Sequence, residues 1–148
     1  MMGKATLTIF VAMLAAGVLA AAAFAATNSS TISLRTTAVG KVLVAANGHT
    51  LYLFTADKGK KSTCYGQCAG YWPPLFAAKP TVGAGLKASL LGTTKRKDGK
   101  LQATYAGHPL YFFAQDKKAG QVNGQGFVHF GGSWWVVSAA GTKITSKP

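Results

Sequence analysis

The sequence predicts an all-β domain, an antiparallel sandwich or small barrel built from two pseudo-symmetric repeats, with at most one short helix. Three observations lead there. The tract Gly48–Lys58 returns as Gly107–Lys117, an offset of 59 residues, with its Gly, His, Leu, Tyr, Phe, Asp and Lys kept in place. Short runs rich in Val, Leu, Tyr, Phe and Thr alternate with glycine-bearing turns, the punctuation of strands rather than helices. Each repeat, at roughly 55 residues, would be marginal alone, so two repeats sharing one core is the stable arrangement.

From the N-terminus, Lys4 precedes an apolar run, Ala5 through Ala25, that ends in Ala23-Phe24-Ala25 and gives way to polar Thr27-Asn28-Ser29-Ser30. A charged start, an apolar middle and a small-x-small end are the three parts of a cleavable signal peptide, here residues 1–25. A retained membrane anchor is the competing reading, because the run is about long enough to span a bilayer. The alanine-rich end favours cleavage. No cysteine lies near the cleavage point, so a lipid-anchored N-terminus is not expected. Residues 26–35 read as a flexible lead-in, and 36–148 as one β domain of two repeats, about 36–90 and 91–145.

Strands are expected at 42–46, 51–55, 101–105, 110–114, 127–130 and 134–138. Asn47-Gly48 and Ala106-Gly107 each separate two of these runs and place a hairpin in each repeat. Asp98-Gly99 adds a turn ahead of Leu101. Alternation sets Tyr52, Phe54 and Ala56 on one face of their strand, and Tyr111, Phe113 and Gln115 on the equivalent face. A short helix is allowed only within 85–91, and the Gly- and Pro-rich stretch 65–85 reads as loop.

Sixteen Lys and Arg stand against three Asp and Glu, a net charge of +13 over 148 residues. Cleavage takes away 25 residues, one lysine and all three methionines, leaving 123 residues at +12 with no thioether ligand for a soft metal. Such a charge attracts polyanions, which outside the cytoplasm means wall polymer, lipid headgroups or acidic polysaccharide. The candidate contacts are Lys58, Lys60, Lys61, Lys95, Arg96, Lys97, Lys117 and Lys118, dispersed along the chain with no nucleic-acid-binding motif beside them. General solubility of an exported protein is the competing reading of the same charge.

The repeated Tyr-x-Phe-x-x-Asp, formed by Tyr52, Phe54 and Asp57 and again by Tyr111, Phe113 and Asp116, holds two of the three acids. One reading makes them paired sites for a cation or a proton. The favoured one makes each aspartate a turn-closer that accepts backbone N–H groups or pairs with the adjoining lysine. Calcium wants more carboxylates than the chain has, and no metal or other cofactor is expected. His49 and His108, equivalent residues after turn glycines, have a ligand or general-base reading beside the commoner one of polar strand starts. His129 is expected to face solvent.

Cys64 and Cys68 occur only in the first repeat. An even pair in an exported chain favours a disulfide, with a redox or metal-binding Cys-x-x-x-Cys as the alternative. Trp72, ahead of Pro73-Pro74, aligns with Trp134 or Trp135 and is expected to plug one end of the core. Trp134-Trp135 should straddle a strand, the outward ring being a candidate contact. No nucleophile–base–orienter set, no His-Glu-x-x-His and no phosphate-cradling glycine loop is present, so no enzyme is expected. Asp57 with Asp116 is the one catalytic pair the composition permits.

The two Tyr-x-Phe-x-x-Asp motifs, Cys64-x-x-x-Cys68-Ala69-x-x-Trp72-Pro73-Pro74-Leu75, and the closing Asn123-Gly124-Gln125-Gly126 with Trp135-Val136-Val137 resemble the bacterial secreted-repeat family of predicted lipoproteins. The likeness runs from about Val39 to Ser138. It implies a cell-envelope or secreted location and carries no established biochemical function. The chain departs from many members by lacking the lipobox cysteine, which points to a soluble periplasmic or extracellular protein. The expectation is a non-catalytic binding or structural module with a basic surface for anionic envelope partners. A redox or metal-handling role for Cys64 and Cys68 is the alternative.

Overall fold

The computed structural model describes residues 30–148. The signal segment read at 1–25 lies outside them. Among the described residues the fold is all-β, as the repeat pattern predicts, with its strands in three small sheets. β1 (Thr31–Thr37) and β2 (Gly40–Val44) form an antiparallel hairpin, registered from Ser33 against Val44 to Thr37 against Gly40. β3 (Tyr52–Phe54) follows the Asn47-Gly48 turn, and the short β4 (Thr81–Val82) runs parallel to β1. β5 (Leu91–Lys95), β6 (Leu101–Tyr105) and β7 (His108–Pro109) form the second meander. β8 (Phe127–His129) and β9 (Gly132–Val136) close the chain, β9 lying between β8 and β3.

Several expectations are corrected. The lead-in expected at 26–35 is already strand from Thr31, because Ile32 is fully buried, Thr31 and Ile32 pair with β4, and β1 pairs with β2 from Ser33 on. The strand expected at 110–114 is reduced to single bridges from Tyr111 to Tyr52 and to Pro74, β7 ending before it at Pro109. Proline is the physical reason. Pro109, Pro73 and Pro74 have no N–H to donate, so the ladder there is interrupted. Within 85–91 the chain makes a single 3-10 turn, Ala88–Leu90, whereas a five-residue helix, α1 (Gln67–Tyr71), falls inside the stretch read as loop. Both hairpin turns are where the sequence puts them. In the second, Ala106 and Gly107 take φ of 49° and 81°, the left-handed pair a tight two-residue hairpin needs.

The central strands are buried on both faces, which splits the shared core in two. Tyr52 and Phe54 join Val42, Val44, Trp72, Tyr111, Phe113, Trp134 and Val136 on one side. Their sequence neighbours Leu51 and Leu53 join Ile32, Leu43, Leu75, Ala103, Leu110 and Val137 on the other. The period of two thus assigns alternate residues of one strand to opposite half-cores.

The two repeats are interleaved rather than stacked. β3 of the first repeat pairs with β9 of the second. In return, the Tyr111 segment bonds the Trp72–Leu75 segment of the first repeat: Phe112 N–H donates to Pro73 at 2.7 Å, and Leu75 N–H to Leu110 at 2.9 Å. The repeats meet where Tyr52 and Tyr111 exchange backbone hydrogen bonds of 2.8 and 3.0 Å. Beside that crossing, Trp72 and Trp134 stack at 4.0 Å with planes 3° apart, so Trp134 rather than Trp135 is the partner of Trp72. Phe54 caps one end of the column on Trp134 at 4.0 Å, and Phe113 the other end on Trp72 at 4.3 Å.

Candidate functional site

The repeated motif is built by strand and turn together. The strand carries Tyr and Phe inward on one face, and the aspartate sits in the turn that follows. Asp57 N–H donates to Phe54 and Asp116 N–H to Phe113, the same turn in both repeats. Each aspartate then closes the longer loop ahead of it. Asp57 Oδ1 accepts from the N–H of Thr63 at 2.8 Å and from its hydroxyl at 3.1 Å. Asp116 Oδ1 accepts from the N–H of Asn123 at 2.9 Å.

The other carboxylate oxygen reaches across the molecule. The Tyr52 phenol donates to Asp116 Oδ2 at 2.6 Å, and the Tyr111 phenol donates to Asp57 Oδ2 at 2.7 Å. Each tyrosine therefore serves the aspartate of the other repeat. Around this shared frame the two sites differ. The Tyr52 oxygen accepts from Gly124 N–H at 3.2 Å, whereas the Tyr111 oxygen lies 2.7 Å from Ser62 Oγ.

Burial shapes the electrostatics. It is the chief cause pushing both aspartate carboxyls above the ordinary 3.8. At Asp57 the bonds from Thr63 and Tyr111 and the charge of Arg96 pull the other way; at Asp116 those from Tyr52 and Asn123 and the charge of His49 do so. Burial also drives both phenols far above their usual 10.0, with the facing carboxylate adding to the rise. The tyrosines stay protonated as donors, and every aspartate oxygen already accepts a bond.

Arg96, read as a surface base, is 4% exposed and lies inside the protein. One guanidinium nitrogen donates to Ser62 Oγ and to Gln102 Oε1 at 2.8 Å each, and the other to the Cys64 carbonyl at 2.6 Å. Its planar fork fits three acceptors where an ammonium group would not. Lys58, Lys60, Lys61, Lys95, Lys97, Lys117 and Lys118 are exposed. Among the described residues the salt bridge present is Arg96 with Asp98 at 4.0 Å, so neither motif aspartate pairs with the lysine beside it.

Cys64 and Cys68 form a disulfide. Cys64 is wholly buried and Cys68 6% exposed, which leaves little access for the attacking thiolate that exchange requires. Trp72 is fully buried, as expected. Of the Trp134-Trp135 pair, expected to straddle a strand, Trp134 is the fully buried ring, and Trp135 packs partly buried on the second half-core with Lys143 5.7 Å over its ring. His129 does not simply face solvent; its ring lies 3.9 Å from that of Phe130 and 5.3 Å from that of Tyr71. His108 shares a cleft of about 480 Å³ with Asp57, Phe54 and Lys143.

The geometry defines a two-repeat β domain fastened by exchanged tyrosine–aspartate pairs. The chain belongs to a family described as a secreted repeat of unknown function, matched over residues 33–76 and 92–138. Each match ends just past a Trp-bearing segment of the interleaved pair, Trp72–Leu75 or β9. No curated protein and no solved structure matches the chain. Among the described residues no helix is long and apolar enough to cross a membrane.

Proposed function

We propose that the chain is an exported, non-catalytic module of a bacterial cell envelope whose basic surface holds anionic partners: wall polymer, lipid headgroups or polysaccharide. One observation carries this reading. Of the three acids, Asp116 is buried and Asp57 half-buried in the tyrosine pairs, leaving Asp98 as the one exposed acidic residue among the described residues. The exposed lysines thus face solvent almost unopposed, and their field extends over a Debye length of about 10 Å at 0.1 M salt.

The Tyr-x-Phe-x-x-Asp motif is in this reading the clasp of the two repeats, and the disulfide a local staple. Export follows from the signal segment at 1–25. The protein works free in the periplasm or outside the cell, since no cysteine near Ala25 offers a lipid attachment point. Retention of the protein on immobilised anionic wall polymer, followed as salt is raised, tests the reading. Affinity should fall linearly in log–log form as counterions are released on binding. Retention indifferent to salt, or equal on charge-neutralised polymer, overturns it.

A further inference from the structure

Where β6 meets the segment following Leu75, two large apolar side chains stand in the open among lysines. Phe76 is 47% exposed and Leu101 37% exposed. With Ala77, Ala78, Lys79 and Lys100 they line a shallow depression of about 720 Å³. Lys100 Nζ sits 5.0 Å from the centre of the Phe76 ring, and Lys97 Nζ 5.4 Å from that of Tyr65. The buried Arg96 lies 4.3 Å over Tyr65 and 5.9 Å from the centre of the Phe76 ring.

The patch does not follow from the repeat. Ala103 N–H donates to Leu75 and Leu43 N–H to Val137, both at 2.9 Å, and these equivalent bonds set the two repeats in register. By that register Ser138 stands where Phe76 stands, and Lys41 where Leu101 stands. Both apolar tips are therefore absent from the matching place on the other repeat, although Leu75, Ala103, Leu43 and Val137 beneath share one half-core.

We propose that this face docks on an anionic lipid bilayer, Phe76 and Leu101 entering the boundary between headgroups and acyl chains while Lys79, Lys97 and Lys100 meet the phosphates. The inference rests on the reading above of a basic module for anionic envelope partners, and it selects the lipid surface among them. Interfacial binding grows with buried apolar area together with attraction to anionic headgroups, and both ingredients meet here. A soluble polyanion uses only the charge and leaves the apolar tips idle.

The test is cosedimentation of the processed chain with mixed phosphatidylglycerol–phosphatidylcholine vesicles, against phosphatidylcholine alone and against heparin as a soluble polyanion. Phe76→Ser with Leu101→Ser leaves the net charge unchanged and is expected to weaken vesicle binding about tenfold or more. Lys79→Glu with Lys100→Glu should weaken it by at least a similar factor. Lys41→Glu with Lys147→Glu makes the same charge change off the patch, and should cost less than about threefold. All these positions are exposed, and denaturation midpoints establish that each variant is folded. Vesicle binding untouched by the serine pair, or weakened equally by both glutamate pairs, assigns the effect to net charge and overturns the docking face. A wild-type protein that holds heparin but not phosphatidylglycerol vesicles overturns the lipid inference and leaves the broader reading standing. Binding to neither overturns both.

Discussion

Tyr52 donates to Asp116 at 2.6 Å, and not to Asp57, which stands five residues along in Tyr52's own motif and instead takes the phenol of Tyr111 at 2.7 Å. The motif is thus read across the repeats. An extended segment, β3 for Tyr52 and the bridged stretch after β7 for Tyr111, supplies the tyrosine of one half, a turn supplies the aspartate of the other, and the backbone crossing at Tyr52 and Tyr111 brings both pairs into reach. The arrangement satisfies four buried or half-buried polar groups at once, and it does so only when both halves are folded together.

Energetic coupling should therefore follow the exchanged pairs. Tyr52→Phe or Tyr111→Phe removes a bond to a charged acceptor and is expected to cost roughly 1.5–3 kcal/mol. In double-mutant cycles, Tyr52→Phe with Asp116→Asn should show a coupling of about 1 kcal/mol or more, and Tyr52→Phe with Asp57→Asn less than about 0.5 kcal/mol. Denaturant titration of the wild type, the three single variants and the two double variants measures this. Stronger coupling within one motif than between motifs would falsify the exchange.

The raised aspartates give acid an unusual sign. Between 3.8 and the raised folded values, the folded chain holds more protons than the unfolded one, so stability falls as pH climbs through that window. Going from about pH 7 to about pH 4, the wild type should gain stability relative to Asp57→Asn with Asp116→Asn. Urea midpoints at the two pH values decide it, and a relative loss on acidification means that the hydrogen bonds outweigh burial. The tyrosines act at the other end. Their folded values lie above 10.0, so their contribution is complete below that and is lost as pH rises beyond it. Tyrosinate absorbance from Tyr52 and Tyr111 should accordingly appear only with alkaline unfolding.

Much of the frame is legible in the sequence because it is local. Glycine turns and a period of two fix the hairpins and the inward faces of Tyr52, Phe54, Tyr111 and Phe113 without reference to distant residues. The exchange is not legible. Alternation is equally satisfied whether β3 pairs within its repeat or with β9, and no local signal distinguishes a Tyr–Asp bond within a motif from one between motifs. Two other features left weak traces. Pro109 and Pro73-Pro74 mark a ladder short of donors, whereas the apolar run 110–114 by itself reads as a full strand. Arg96 looked like part of a solvated run, Lys95-Arg96-Lys97, yet it is one of only two arginines in a lysine-rich chain. Choosing the planar fork over an ammonium group was the available sign of an interior role.

Arg96 offers a direct contrast between interior and surface bases. Removing it strands Gln102 Oε1 and the Cys64 carbonyl and takes one donor from Ser62 Oγ, which keeps those of Tyr111 and Cys64. Arg96→Lys keeps the charge but loses the fork, and should still cost roughly 2–3 kcal/mol, with Arg96→Ala costing more. Lys97→Ala, at an exposed position, should stay within about 0.5 kcal/mol of wild type. Denaturation midpoints check both. Equal and small effects at 96 and 97 would return Arg96 to the surface group.

The disulfide should matter locally and only in one half. Its span of four residues limits the loop-closure entropy it removes from the unfolded chain, so Cys64→Ala with Cys68→Ala is expected to cost about 2 kcal/mol. The position of the loop says where that loss should appear. Ser62 and Thr63 precede Cys64 and bond Tyr111 and Asp57, while Arg96 grips the Cys64 carbonyl. Loosening the loop therefore weakens the Tyr111–Asp57 clasp first, whereas the Tyr52–Asp116 clasp takes its backbone donors from Asn123 and Gly124 instead. Amide hydrogen exchange of the double-alanine variant should show faster exchange at Thr63 and Cys68 than in wild type. The rate at Asn123 should change by no more than the shift in global stability. Equal acceleration at Thr63 and Asn123 means that the bridge acts through the whole fold rather than through its own clasp.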